Sequence, residues 1–288
     1  MDSESAADPT EAPRPMKLFD THAHFSRMGG EYSLEAQITR ARELGVTRIV
    51  GVGGSCELNK AAVEAATAYP DMIRVALGFD RDQVDELGGP AAQQDALDRL
   101  RLAMRQLPER GIHVAAIGEI GLDYFYSSET AKQQITLFRA QLELANEVGI
   151  PVVIHSRDAD VDTLEALEDH ARGWRGDPER IGVLHCFARD AAFAADLVEL
   201  GYHISFSGIV TFLNAEPLRE VAKTIPDDKL LIETDSPYLA PAPMRGNRNE
   251  PGFVKHVAEC LAEVRGVAVD KLAEQTFANA SKLFGWDV

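Results

Sequence analysis

From position 17 almost to the end, the chain repeats one pattern: a short apolar run, a polar turn, then a longer stretch with apolar positions at helical spacing. The short runs fall at 17–20, 48–52, 73–78, 114–118, 151–155, 181–185, 203–206 and 229–233. Continuous apolar runs bounded by turns fit strands buried on both faces. The stretches 34–44, 57–69, 91–107, 131–148, 161–171, 191–200 and 217–224 read as helices. In 131–148, Ile135, Phe138, Leu142 and Ala145 form one buried stripe, which Gly149 and Pro151 then stop. Eight strands alternating with helices imply right-handed parallel βαβ units. Eight such units close into a (β/α)8 TIM barrel. The helical segments 253–265 and 269–283 supply the last barrel helix and a cap. An open doubly wound sheet is the rival, but no Gly-x-Gly-x-x-Gly opens the first crossover. With no shift of composition inside 16–288, one domain is expected; residues 1–15, acidic, proline-rich and aperiodic, read as a disordered tail.

Composition narrows the setting. Of 288 residues, 45% are hydrophobic and 26% charged, as in a soluble globular protein. The net charge of −17 repels nucleic acid at long range, so a phosphate-bearing substrate needs locally placed cations. Cys56, Cys186 and Cys260 are odd in number and far apart, which fits a reducing compartment. There is no basic start followed by an apolar core and no apolar run long enough to span a bilayer. A cytoplasmic protein without membrane attachment, and monomeric, is the expectation.

The chemistry-bearing residues fall where a barrel places function, at the C-terminal strand ends. The first strand ends in His22 and His24, which leave on one face because strand side chains alternate. The fourth runs into Glu119 and Asp123, the fifth into His155-Ser156-Arg157, the sixth into His185-Cys186, and the eighth into Glu233-Thr234-Asp235. Four of the chain's eight histidines and two carboxylates, Glu119 and Asp235, thus share one rim. Six N and O ligands without a thiolate fit a two-metal hydrolytic site rather than a structural zinc. A carboxylate has two oxygens and can bridge two cations, so Glu119 is the expected bridge.

These residues resemble the TatD-type metal-dependent deoxyribonucleases of the amidohydrolase superfamily. The resemblance runs from position 18 to about 283. It rests on Asp20-Thr21-His22-Ala23-His24, the segment 117–123, Gln133 through Phe138 to Ala145, and Pro151-Val152-Val153-Ile154-His155-Ser156-Arg157-Asp158-Ala159. It continues in His185-Cys186-Phe187, Glu233-Thr234-Asp235-Ser236-Pro237-Tyr238-Leu239, and Arg245-Gly246 with Asn249-Glu250-Pro251. It implies one divalent ion (Mg, Mn or Zn) held by His22, His24, Glu119 and Asp235, and a second held by Glu119, His155 and His185. It also implies hydrolysis of DNA phosphodiesters, 3′-5′ exonuclease-like. The expected chemistry is attack by a water that the cations acidify, with Asp235 taking its proton.

Three positions depart from the family's pattern. Gly78-Phe79-Asp80-Arg81 stands where a His-Pro pair is usual, Ala188-Arg189 where a small pair such as Ser-Gly is, and in the loop before Asn249 a basic residue is usual at Asn247 and an aromatic or histidine near Met244. All three are expected to meet substrate and to leave the ligands untouched. Arg157 and Arg245 are the leading phosphate contacts, with Arg189 and Arg248 behind them; the alternative for Arg157 is a surface pair with Asp158 or Asp160. Asp20 either orients a ligand histidine or caps a strand. Glu233 reads as a supporting ion-pair partner, Cys186 as core, and Phe206-Ser207-Gly208 as pocket floor or turn. His113, His170, His203 and His256 read as ordinary surface or core residues. Two rival functions remain: a hydrolase of a small lactone, amide or ester, and a non-enzymatic metal-loaded interaction module. The missing strand-four lysine speaks against the first, and the intact ligand set against the second.

Overall fold

The computed structural model describes residues 16–26, 29–126 and 128–286, so the expected tail at 1–15 lies outside the described residues. Strands β1 (Leu18–Ala23), β2 (Val46–Gly54), β3 (Ile73–Phe79), β4 (Val114–Asp123), β5 (Val152–Arg157), β6 (Gly182–Leu184), β7 (His203–Phe206) and β8 (Leu230–Ile232) pair in chain order, all parallel. After β8 the chain returns to β1: Asp235 N–H donates to His22 O at 2.9 Å, and His24 N–H to Ser236 O at 2.8 Å. Helices α1 (Leu34–Glu43), α2 (Cys56–Ala68), α3 (Gln83–Glu86), α4 (Pro90–Glu109), α5 (Ala131–Val148), α6 (Asp160–Gly173), α7 (Ala191–Glu199) and α8 (Glu216–Thr224) fill the crossovers. Two more, α9 (Val254–Arg265) and α10 (Val269–Leu283), follow β8. This is the (β/α)8 barrel.

Alternation along each strand divides the core. Val50, Val153, Val183 and Leu231 face the barrel interior. Their neighbours Ile49, Val152, Leu184 and Leu230 face outward against the helices. The interior layer continues into Phe277, Leu283, Phe284 and Trp286 from α10 and just beyond it. Phe19 meets Trp286 edge-on at 5.4 Å, and Arg48 stacks over Phe277 and Trp286. The helix expected as a cap is therefore a plug in the N-terminal mouth, which leaves the opposite mouth for chemistry. Helix starts follow their caps: the Ser33, Ser55 and Asp190 side chains accept from the backbone N–H groups of Ala36, Leu58 and Phe193. Gly149, at φ +70, ends α5.

Strand β4 runs further than its apolar pattern indicates. Gln134, from α5, clamps its end, accepting from Asp123 N–H at 2.9 Å and donating to Asp123 O at 3.1 Å. Gly121 (φ +149) lies against β5 so closely that a Cβ there would stand 1.9 Å from His155 O. The extension brings Glu119 and Asp123 alongside His155. Among the described residues no helix is long and apolar enough to cross a membrane.

Candidate metal centre

Each rim residue is delivered by a strand end. His22 lies on β1 and His24 just after it, Glu119 on β4, His155 on β5, His185 directly beyond β6, and Asp235 in the segment after β8. Glu119 is the centre of the group. Its Oε2 stands 3.5 Å from His22 Nε2 and 3.4 Å from His24 Nε2. Its Oε1 stands 3.3 Å from His155 Nδ1 and 3.4 Å from His185 Nε2. Asp235 Oδ1 joins the first pair at 3.8 and 3.7 Å. The structure therefore brings all six residues together, as two half-sites that share one carboxylate.

On three of the four rings the far nitrogen has a partner that fixes the tautomer, whereas His22 Nδ1 is buried without a hydrogen-bond partner among the described residues. His24 Nδ1 faces the Val52 carbonyl at 3.0 Å, His155 Nε2 faces Asp123 Oδ2 at 3.0 Å, and His185 Nδ1 faces Glu233 Oε1 at 3.2 Å. A carbonyl or carboxylate in that position takes an N–H, which leaves a lone pair on the other ring nitrogen. Those lone pairs converge. His22 Nε2 and His24 Nε2 are 3.1 Å apart, and His155 Nδ1 and His185 Nε2 3.4 Å, with carboxylate oxygens on the same side. His24, His155 and His185 thus aim acceptors at the Glu119 carboxylate, and acceptors aimed at acceptors need positive charge between them. Imidazole and carboxylate donors without thiolate suit Zn²⁺, Mn²⁺ or Mg²⁺, and the residues fit divalent ions.

The side chains alone meet that demand with protons. Burial opposes charge on His24 and His185, yet Glu119 outweighs it, raising His24 and lifting His185 well above the ordinary range. Glu119 is held well below the usual carboxylate range despite burial, because His185, His22 and His24 surround it. Burial wins at His22, pushed down to about 4, and also lowers His155. Burial lifts Asp235 to about 6. A bound cation would displace the protons on His24 and His185.

Supporting residues hold these groups in place. Glu233 also accepts from the Cys186 N–H at 2.7 Å, as a partner of the His185 segment should. Asp20 orients no ring: it accepts from the Thr234 N–H at 2.8 Å and the Thr234 hydroxyl at 2.6 Å, tying β1 to the chain that carries Asp235. Burial pushes Asp20 up to about 8 against those bonds. Asp235 itself has φ +56, a backbone region that non-glycine residues enter at a cost and keep only where the surroundings hold them. Cys186 is half-buried, with its Sγ against Ser207 Oγ at 3.1 Å.

The roles of two contributors escaped the sequence. Asp123 holds His155 from behind; its signal was its place four residues after Glu119 along the same strand. Arg81 is the second. The expectation that the departures from the family pattern spare the ligands fails there, since Arg81 Nη1 lies 3.2 Å from Glu119 Oε1. Among the arginines expected to meet phosphate, Arg157 lies 3.7 Å above the Phe125 ring and pairs with neither Asp158 nor Asp160. Arg189 takes those two acids instead. Arg245 sits over Phe212 at 4.2 Å, and Arg248 donates to Ser26 Oγ at 3.3 Å. None of these four is placed against the ligand cluster. His170 bonds to Tyr202, His203 is buried on β7, His256 pairs with Glu259, and His113 is exposed, all away from the centre.

A (β/α)8 barrel whose strand ends gather four histidines around a shared glutamate defines a class of metal-binding barrel. Residues 19–285 match the family described as TatD related DNase, and the chain belongs to that family. It is 41% identical over 275 residues to the metal-dependent hydrolase YcfH of Escherichia coli, covering 94% of this chain and 97% of YcfH. It is 39% identical over 269 residues to the metal-dependent hydrolase YabD of Bacillus subtilis, covering 93% and 98%. The crystal structure of YjjV, a TatD homologue from Escherichia coli, superposes with a TM-score of 0.82 at 29% identity, over 95% of this chain and all of that one.

Proposed function

We infer that the protein is a divalent-metal-dependent hydrolase that cuts phosphodiester bonds in DNA, working from strand ends in the 3′-5′ direction in the cytoplasm. The observation that carries the reading is Glu119, with one pair of imidazoles at each of its two oxygens. Two divalent ions there supply Lewis acidity toward a phosphoryl oxygen and acidify water. His22, His24, Glu119 and Asp235 would hold one ion, and Glu119, His155 and His185 the other. Asp235, lifted to about 6 by burial in the metal-free site, is a carboxylate at neutral pH and would take the proton of an attacking water. Val52 O, Asp123 and Glu233 keep the rings of His24, His155 and His185 turned with their lone pairs inward.

The rim supports a nucleic-acid substrate. Phe125 and Tyr126 are 55% and 66% exposed, stacked edge-on at the end of β4 with the Arg157 guanidinium over them. Tyr238, 60% exposed, stands 6.1 Å from the His24 ring. Exposed aromatic faces beside a guanidinium are surfaces on which successive bases stack whatever their sequence. Arg157 and Arg245 are assigned to the backbone phosphates, giving local positive charge on an otherwise acidic protein.

Incubation with end-labelled single-stranded DNA and Mn²⁺, Mg²⁺ or Zn²⁺, beside a panel of lactones and amides, tests this. Metal-dependent release of nucleotides that stops on chelation is expected. Glu119→Gln should remain folded and lose at least about 100-fold in rate, since both half-sites lose a charged ligand. Turnover of a lactone with no cleavage of DNA would replace the substrate assignment, and full activity of Glu119→Gln would remove the mechanism.

A further inference from the structure

The two half-sites are not electrostatically alike. Around Glu119 Oε2 lie two imidazoles and the Asp235 carboxylate and, among the described residues, no fixed cation. Around Oε1 lie two imidazoles and a guanidinium: Arg81 Nη1 is 3.2 Å from that oxygen, as close as His155 Nδ1 at 3.3 Å and His185 Nε2 at 3.4 Å. Arg81 Nε stands 3.7 Å from Asp123 Oδ2, the same oxygen that holds His155 Nε2 at 3.0 Å. The Asp80 carboxylate anchors the guanidinium from behind at 2.5 Å. The Arg81 side chain is only 17% exposed, and its charge is reinforced, against the cost of burial, by Asp80, Glu119 and Asp82. It cannot shed that charge to make room for another.

The geometry points to Arg81 as the residue that sets unequal affinities in the two half-sites, leaving the His155–His185 side to fill weakly by itself and tightly only with an anionic substrate. A divalent ion held by Glu119 Oε1, His155 and His185 would share one carboxylate oxygen with a permanent cation. Like charges a few ångströms apart in a largely buried site repel by an amount worth at least about tenfold in affinity. A phosphate group in the mouth of the barrel brings the negative charge that offsets both. A neutral ester or lactone brings none. Arg81 therefore favours substrates that carry an anion at the reacting centre.

This assignment rests on the metal-binding reading above, and its test separates the two. Mn²⁺ is titrated into the metal-free full chain by calorimetry, for the wild type, Arg81→Met and Arg81→Lys, with circular dichroism to establish folding. The wild type should show one tight and one weaker event. Arg81→Met, which keeps bulk and removes charge, should strengthen the weaker event about tenfold or more and leave the tighter one within about threefold. Arg81→Lys, which keeps charge on a different shape, should retain the inequality. Two equal events in the wild type, or a weaker event unmoved in Arg81→Met, would overturn the role of Arg81 while leaving the centre intact. No Mn²⁺ binding at all would overturn both.

Discussion

An imidazole can present its lone pair to a cation only as well as the group behind it fixes the ring. His185 has its Nδ1 held by Glu233 at 3.2 Å, and the same carboxylate oxygen takes the Cys186 N–H at 2.7 Å. Glu233→Gln keeps the size and removes the charge that fixes the tautomer. Such partners are typically worth 10–100-fold in metal affinity or activity. Glu233→Gln is thus expected to weaken metal binding by about 10- to 100-fold, read by competition against a chromophoric chelator, with folding unchanged. Affinity equal to the wild type would show that His185 is oriented by something else. Single side chains of the centre were both the most and the least legible in the sequence. His22, His24, Glu119, His155, His185 and Asp235 were legible because strand ends in a barrel share one rim. The roles of Asp123 and Arg81 were not, because their contacts join the segment after β3 with β4 and β5 through side chains whose reach no single run of sequence reveals.

Among the elements, the join between β1 and β8 positions the first half-site. Asp20 on β1 accepts two hydrogen bonds from Thr234, and the next residue is Asp235. Thr234→Val removes one donor from a fully buried carboxyl while keeping the shape. An unmade bond of that kind costs about 1–3 kcal/mol, visible as a lower urea midpoint at an unchanged slope. A shift below about 0.5 kcal/mol would mean that the strands are joined by their backbone bonds alone. The alternation of strands and helices was legible because buried parallel strands read as unbroken apolar runs and the helices as stripes. The reach of β4 was not, since its last residues are held by Gln134 and by the glycine contact with β5. The plug formed by α10 was half legible: its apolar stripe announced a packed helix, and only the closed barrel shows which mouth it fills.

For the whole molecule, acid stability is set in part by histidines far from the centre. Burial pushes His170 and His203 down to about 4 from the ordinary 6.5. Between those values the unfolded chain takes up protons that the fold refuses, so stability is full above about 6.5, falls as pH drops from there, and levels off near 4 where the folded rings also protonate. Each buried ring accounts for up to about 3 kcal/mol of that loss. His170→Leu is expected to flatten the fall in urea midpoint between pH 6.5 and 4, leaving Tyr202 its weaker bond to the Leu167 carbonyl. An identical pH profile in the variant would show that His170 is not held neutral.

Six side chains from five strands are proposed to hold two cations through the two oxygens of Glu119. Anomalous scattering at the manganese edge, from crystals grown with Mn²⁺ and a phosphate-bearing oligonucleotide, tests it most directly. One peak bounded by His22, His24, Glu119 and Asp235 and another by Glu119, His155 and His185 is the expected result. Peaks confined to the acidic surface, with none touching Glu119, would contradict it.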